Sequence, residues 1–179
     1  WFAMDNSPAT SVAPLIERFA DSVYVVDAAL PGFRVVNIAD PTDFREVTRF
    51  STTGPPTEIA VREGHVYLVV QGGVVVVSVG DLHAPVAAAA RTWRGSEVVR
   101  KLAFDEYGRC YFADGATLTI LDGDPDSETF LNVRATMHMP ARIDDIVIQN
   151  GQACVVAPTR GSEILRIEND ATATVIPDV

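Results

Sequence analysis

A pattern returning about every 43 residues constrains this chain most, because self-similarity at that spacing belongs to arrays that repeat one small supersecondary unit. The first half of the unit reads SVYVVDA (Ser22 to Ala28), HVYLVVQ (His65 to Gln71), RCYFADG (Arg109 to Gly115) and QACVVAP (Gln152 to Pro158). The second half reads FRVVNIAD, VVVVSVGD, LTILDGD and ILRIEND, and closes at Asp40, Asp81, Asp124 and Asp170. These runs are short and rich in β-branched residues, with Gly and Pro between them, which reads as strands joined by turns.

Each repeat resolves into four short strands. The second takes REVTRFS, EIAVRE, HVYLVVQ and VVVVSVGD, the third VAAAART, KLAFDE, RCYFAD and LTILDGD, and the fourth FLNVRAT, DIVIQN, QACVVA and ILRIEND. Units therefore run over about 12–43, 44–85, 86–125 and 126–170, with residues 1–11 as an extension ahead of them and 171–179 as a closing strand. Ala87 to Ala90 reads as an outer strand with small side chains. The first unit holds only PLIERF, SVYVVD and FRVVNIAD, and TATVIPDV stands alone at the C-terminal end. Three plus one makes a four-stranded blade, so the expected fold is an all-β, propeller-like repeat of four four-stranded blades. Two closures are consistent with this: the C-terminal strand completes the first blade, or the four blades form half of a larger ring.

The chain of 179 residues fits one domain and can bury an adequate core unaided. It opens at Trp1 rather than at methionine, and so reads as an excerpt or a processed form. Hydrophobic residues make up 47% of it, yet no apolar run approaches the roughly 18 residues that a membrane helix needs. A formal net charge of −10 argues against nonspecific binding to nucleic acid or anionic membrane, and leaves basic partners open. Cys110 and Cys154 occupy nearly the same place in successive repeats and read as two buried thiols rather than a disulfide.

The units SVYVVD…FRVVNIADPTDF and HVYLVVQGGVVVVSVGDLHAP resemble LVIVD-type repeats, in which a Tyr-containing strand precedes an apolar strand ending in an Asp-Pro turn. The resemblance covers roughly residues 12–179. Asp40-Pro41 and Asp124-Pro125 keep the dipeptide, whereas Asp81 is followed by Leu82 and Asp170 by Ala171. It implies a propeller, often at the bacterial or archaeal cell surface, generally without an assigned enzyme activity. Such a motif transfers fold better than function.

The repeat residues read structurally. Tyr24, Tyr67 and Tyr111 are expected to pack between blades. Asp40, Asp81, Asp124 and Asp170 are expected to shape interblade turns by accepting bonds from amides two residues on. Chemistry is sparse. Asp122, Asp124, Asp126 and Glu128 alternate as in calcium loops, but Pro125 interrupts them and the sixth-position glycine is missing. His65, His83 and His138 are scattered, the pair Asp144 and Asp145 has no second carboxylate pair beside it, and no GxSxG, HExxH, CxxC or glycine-rich phosphate loop is present. No catalytic residue, cofactor or metal ligand is expected.

What remains is a surface. In a propeller the equivalent connections Thr52 to Glu58, Thr92 to Lys101 and His138 to Asp145 should emerge on one face. They gather Trp93, Arg94, His138, Met139 and Arg142, a composition common at interface hot spots. The expected role is a rigid platform that binds a protein partner through these residues without catalysis. The alternatives are a cell-surface adhesin or lectin module binding glycans and, behind it, a propeller hydrolase with a metal in the channel. A homo-oligomer is expected if the ring is incomplete.

Overall fold

The computed structural model describes residues 15–26, 31–70, 73–92, 99–150, 152–157, 161–167 and 173–176. The strands are β1 (Leu15–Phe19), β2 (Ser22–Val26), β3 (Gly32–Asn37), β4 (Arg45–Ser51), β5 (Glu58–Arg62), β6 (His65–Val70), β7 (Gly73–Ser78), β8 (Val86–Thr92), β9 (Val99–Phe104), β10 (Arg109–Asp114), β11 (Thr117–Asp122), β12 (Val133–His138), β13 (Asp145–Gln149), β14 (Gln152–Ala157), β15 (Gly161–Ile167) and β16 (Ala173–Ile176). They form four antiparallel sheets of four consecutive strands, and the described residues contain no helix. The all-β, four-by-four architecture read from the repeats is the one observed.

The first strands of the sheets stand side by side, β1 against β5, β5 against β9 and β9 against β13, so they form the inner wall. Each of three interfaces between successive sheets holds a hydrophobic core. Tyr24, Val26, Phe33 and Val35 meet Ile59, Val66 and Leu68. Tyr67, Val69, Val74 and Val76 meet Cys110, Phe112 and Leu121. Tyr111, Leu118 and Ile120 meet Ile143, Ile146, Ala153 and Val155. Because both faces of a middle sheet are covered, β6 and β10 are apolar at successive positions instead of alternating. Burying side chains of this size contributes roughly 1.5–3 kcal/mol each. The tyrosines behave as expected, Tyr24, Tyr67 and Tyr111 being almost wholly buried. Burial pushes the Cys110 thiol up, as befits an inert core thiol, and no disulfide joins it to Cys154.

The sheets are one strand out of phase with the sequence repeat. β4 completes the first sheet by pairing with β3, and β16 pairs with β15 inside the fourth, so the C-terminal strand does not complete the first blade. The aspartate turns accordingly lie within sheets rather than between them, joining β3 to β4, β7 to β8 and β11 to β12. Their chemistry is as expected: the carboxylates of Asp40, Asp81 and Asp124 accept the amides of Thr42, His83 and Asp126 at 2.8, 2.9 and 2.9 Å. Such a turn returns the chain antiparallel onto the strand it has just left, which is why the following strand stays in the same sheet. Asp170 lies outside the described residues. β8, which carries the alanine run, is the outermost strand of its sheet, as expected.

The outer strands share a further regularity. The partner of the core tyrosine on the next strand, Val35, Val76 or Ile120, is followed at once by a register shift against the outermost strand. A bulge repeated at one place in three sheets increases the twist of each outer strand in the same way.

Candidate functional site: the end of the inner strands

Alternation of strand direction sends the connections between sheets and the β10–β11 turn to the same end of the molecule. Backbone bonds tie two of these segments together there, since Met139 N donates to Ala116 O at 2.7 Å and Ile143 N to Gly115 O at 2.8 Å. Pairing registers identify the equivalent inner-strand positions at this end: Leu15 opposite Val26, Glu58 opposite Val69, Lys101 opposite Ala113 and Asp145 opposite Val156. Glu58, Lys101 and Asp145 are the last residues of the three connecting segments that the sequence placed on one face, and they meet. The Lys101 Nζ lies 3.8 Å from Glu58 Oε2 and 3.8 Å from Asp145 Oδ1, each carboxylate coming from a neighbouring sheet.

The three groups differ in exposure. The Glu58 side chain is 15% exposed, Lys101 38% and Asp145 50%. Burial pushes the Glu58 carboxyl above the usual glutamate range, and the nearby charges of Glu17 and Asp145 add to this while Lys101 and the Ile59 amide oppose it. Asp145 also accepts the Ile146 amide at 2.9 Å. A carboxyl with an elevated pKa beside an amine, at the end of the inner strands, can hold a proton, transfer one, or bind a cation donor.

The residues named from sequence are distributed as follows. Trp93 and Arg94 lie outside the described residues. His138 ends β12, exposed, with Nδ1 3.2 Å from Thr117 Oγ1. Arg142 is exposed on the following connection and pairs through Nε with Asp144 Oδ1 at 3.2 Å. Met139 instead turns inward and joins the core of Tyr111 and Ile143, leaving little surface for a partner. Glu58 and Lys101 were not singled out from sequence. Their signal was present only as chain position, Glu58 standing where a connecting segment becomes an inner strand and Lys101 two residues inside the next one.

Other candidates fall to packing or size. Burial raises the Asp122 carboxyl, but hydrogen bonds from Thr129, Arg134 and Ser127 outweigh it and hold it at about 2. The acidic run is thus a self-satisfied turn, and among the described residues no group of three or more His, Cys, Asp or Glu is placed to hold a metal ion. A cleft of about 130 Å³ beside Phe33 and Phe50 is well below the few hundred Å³ of a small-molecule pocket.

No protein-family model and no curated protein matches this chain. Solved structures do. A protein from Lactobacillus plantarum is similar with a TM-score of 0.75 and 16% identity over 87% of this chain and 52% of its own. A candidate 6-phosphogluconolactonase from Bacteroides fragilis gives 0.74 and 13% over 92% of this chain and 56% of its own. The computationally designed Ika4 protein gives 0.63 and 11%, with 98% of both chains covered. The chain thus spans about half the length of the first two. These likenesses define the class as a β-propeller-like repeat protein, and at such identities they speak for fold alone.

They also require a correction. The expectation of a protein without enzyme activity, drawn from the missing catalytic motifs and from the LVIVD-type resemblance, is overturned, since the fold is shared with a candidate 6-phosphogluconolactonase. A propeller scaffold does not exclude catalysis, because activity resides in the groups at its loops and channel.

Proposed function

We propose that the face formed by the connections between sheets is a docking platform for a protein partner presenting basic residues. The observation that carries this reading is the cluster at the end of the inner strands, where Lys101 bridges Glu58 and Asp145 while Glu17 acts on Glu58 and the Arg142–Asp144 pair precedes Asp145 in the chain. Carboxylate exceeds positive charge there, in a chain of net charge −10, so an incoming Lys or Arg finds acceptors that are partly desolvated and already aligned. The LVIVD-type resemblance supports a cell-surface or secreted setting for such a platform. The test is quantitative affinity capture with the wild type and with a Glu58→Gln, Asp145→Asn double variant whose circular dichroism is unchanged. A stoichiometric partner whose capture falls at least tenfold in the variant and weakens with salt is expected. No partner, or a partner held equally by both proteins, would refute the reading.

A second reading rests on Glu58 as a proton carrier. The Bacteroides fragilis neighbour is named as a candidate lactonase, and a glutamate with a raised pKa beside a lysine at the end of the inner strands suits general acid or base work on a lactone ester. Wild-type protein and the Glu58→Gln variant would be assayed for hydrolysis of 6-phosphogluconolactone. Turnover that disappears in the variant favours the enzyme, and equal rates with no protein added dismiss it.

A further inference from the structure

The repeat provides its own control for which faces are covered. Ile16, Ile59, Leu102 and Ile146 occupy one position, opposite Val25, Leu68, Phe112 and Val155 on the neighbouring strand. In the second and fourth sheets this position is sealed by the preceding sheet, with Ile59 2% and Ile146 6% exposed, and in the third Phe112 is 1% exposed. In the first sheet Ile16 is 58% exposed. The opposite face of the fourth sheet shows the converse. Cys154, in the place of the fully buried tyrosines, is half-buried, and Val147 beside it is 56% exposed. One terminal sheet thus bares the receiving face of the interface and the other bares the donating face.

We propose that these two faces bind each other between two copies of this chain, giving a closed ring of two chains with eight blades and two identical new interfaces. The mode of contact has a precedent within the molecule, since the equivalent pair of faces forms its three internal interfaces. The exposure of Ile16 on the first sheet and of Val147 on the fourth favours a partner copy over self-closure. The described structure superposes, with TM-scores of 0.75 and 0.74, on about half of chains nearly twice as long. Two such halves make one ring. The faces are of different kinds, so the contact is head-to-tail and closes only if the second interface forms as the first does.

Sedimentation equilibrium and light scattering of the 179-residue chain test this. The wild type is expected at twice the monomer mass. Ile16→Asp and Val147→Asp, each at an exposed site in the isolated chain, are expected to raise the dimer dissociation constant at least tenfold while leaving the far-ultraviolet spectrum unchanged. Mixing the two variants restores association, because each contributes one intact face. A wild-type monomer would overturn the proposal, pointing to a ring closed by the chain itself or by further blades on one polypeptide. So would larger open assemblies, or dimers insensitive to both substitutions.

Discussion

The hydroxyl of Tyr111 donates to Asp105 Oδ2 at 2.9 Å inside the core, and Arg109 Nε donates to the same oxygen at 2.5 Å. The other carboxylate oxygen accepts the amides of Tyr107 and Arg109, each at 2.9 Å, so a fully enclosed charge organises the β9–β10 hairpin. Arg62 reaches across from the second sheet to the Asp105 carbonyl and ties this hairpin to its neighbour. Removing the guanidinium leaves Asp105 buried and uncompensated, at a cost of about 3–5 kcal/mol, whereas removing the phenol oxygen costs about 1 kcal/mol. Urea unfolding of Arg109→Met and Tyr111→Phe should give that order. The reverse order would show that Arg109 is dispensable to the hairpin.

Gly32 begins β3 with a φ of +125°, and a Cβ there would sit 1.9 Å from the Phe50 carbonyl oxygen. Neither backbone can yield without breaking the β3–β4 pairing. Gly32→Ala is therefore expected to destabilise by about 2 kcal/mol or more. Gly54, with nothing within 4 Å of the same construction, should tolerate alanine within about 0.5 kcal/mol. Thermal melts of the two variants side by side check the contrast.

Asp122 has its carboxyl held at about 2 in the folded protein, below its value in the unfolded chain. A depressed acid stabilises the fold above its unfolded pKa, and that stability is lost as pH falls through the folded one. The contribution is on the order of 2 kcal/mol near neutrality and should fade between about pH 4 and pH 2. Asp122→Asn should thus be less stable than wild type at pH 7, with the gap closing in acid. A gap that does not change with pH would rule out the charge as its source.

Glu58 carries the opposite sign. Its folded pKa is raised, so the folded state holds the proton more tightly than the unfolded chain does, and ionisation costs stability as pH climbs above the usual glutamate value. Glu58→Gln should match wild type below about pH 4 and exceed it at pH 7, read from urea midpoints at the two pH values. A variant less stable at pH 7 would mean that the pairing with Lys101 outweighs the burial.

Much of this architecture is legible in the sequence because the second strands of the first three sheets each bury a tyrosine in the interface with the following sheet, so SVYVVD, HVYLVVQ and RCYFADG stay alike. The aspartate turns are legible for a similar local reason, since the bond from Asp40, Asp81 or Asp124 to an amide two residues on needs no tertiary context. The phase of the sheets is not, because hydrogen bonding between β3 and β4 leaves no mark on the identity of Arg45 or Thr48, both on an outer strand. The charged cluster at the end of the inner strands is hidden for a third reason. Equivalent positions carry Leu15, Glu58, Lys101 and Asp145, four unlike residues whose kinship appears only in the pairing registers. Met139 misleads in the other direction, its connection being at the surface while its side chain turns inward.

The placement of the aspartate turns inside sheets bears on how such a chain can grow. A segment cut from one aspartate turn to the next contains the outer strand of one sheet and the inner three of the following sheet. Inserted at any aspartate turn, it gives its first strand to the sheet before it and takes as its own fourth the outer strand it has displaced from that sheet. Every duplication or loss at these turns therefore leaves all sheets whole while binding neighbours together through the covalent chain, so the length of the array can change in evolution without an intermediate that has a half-built sheet.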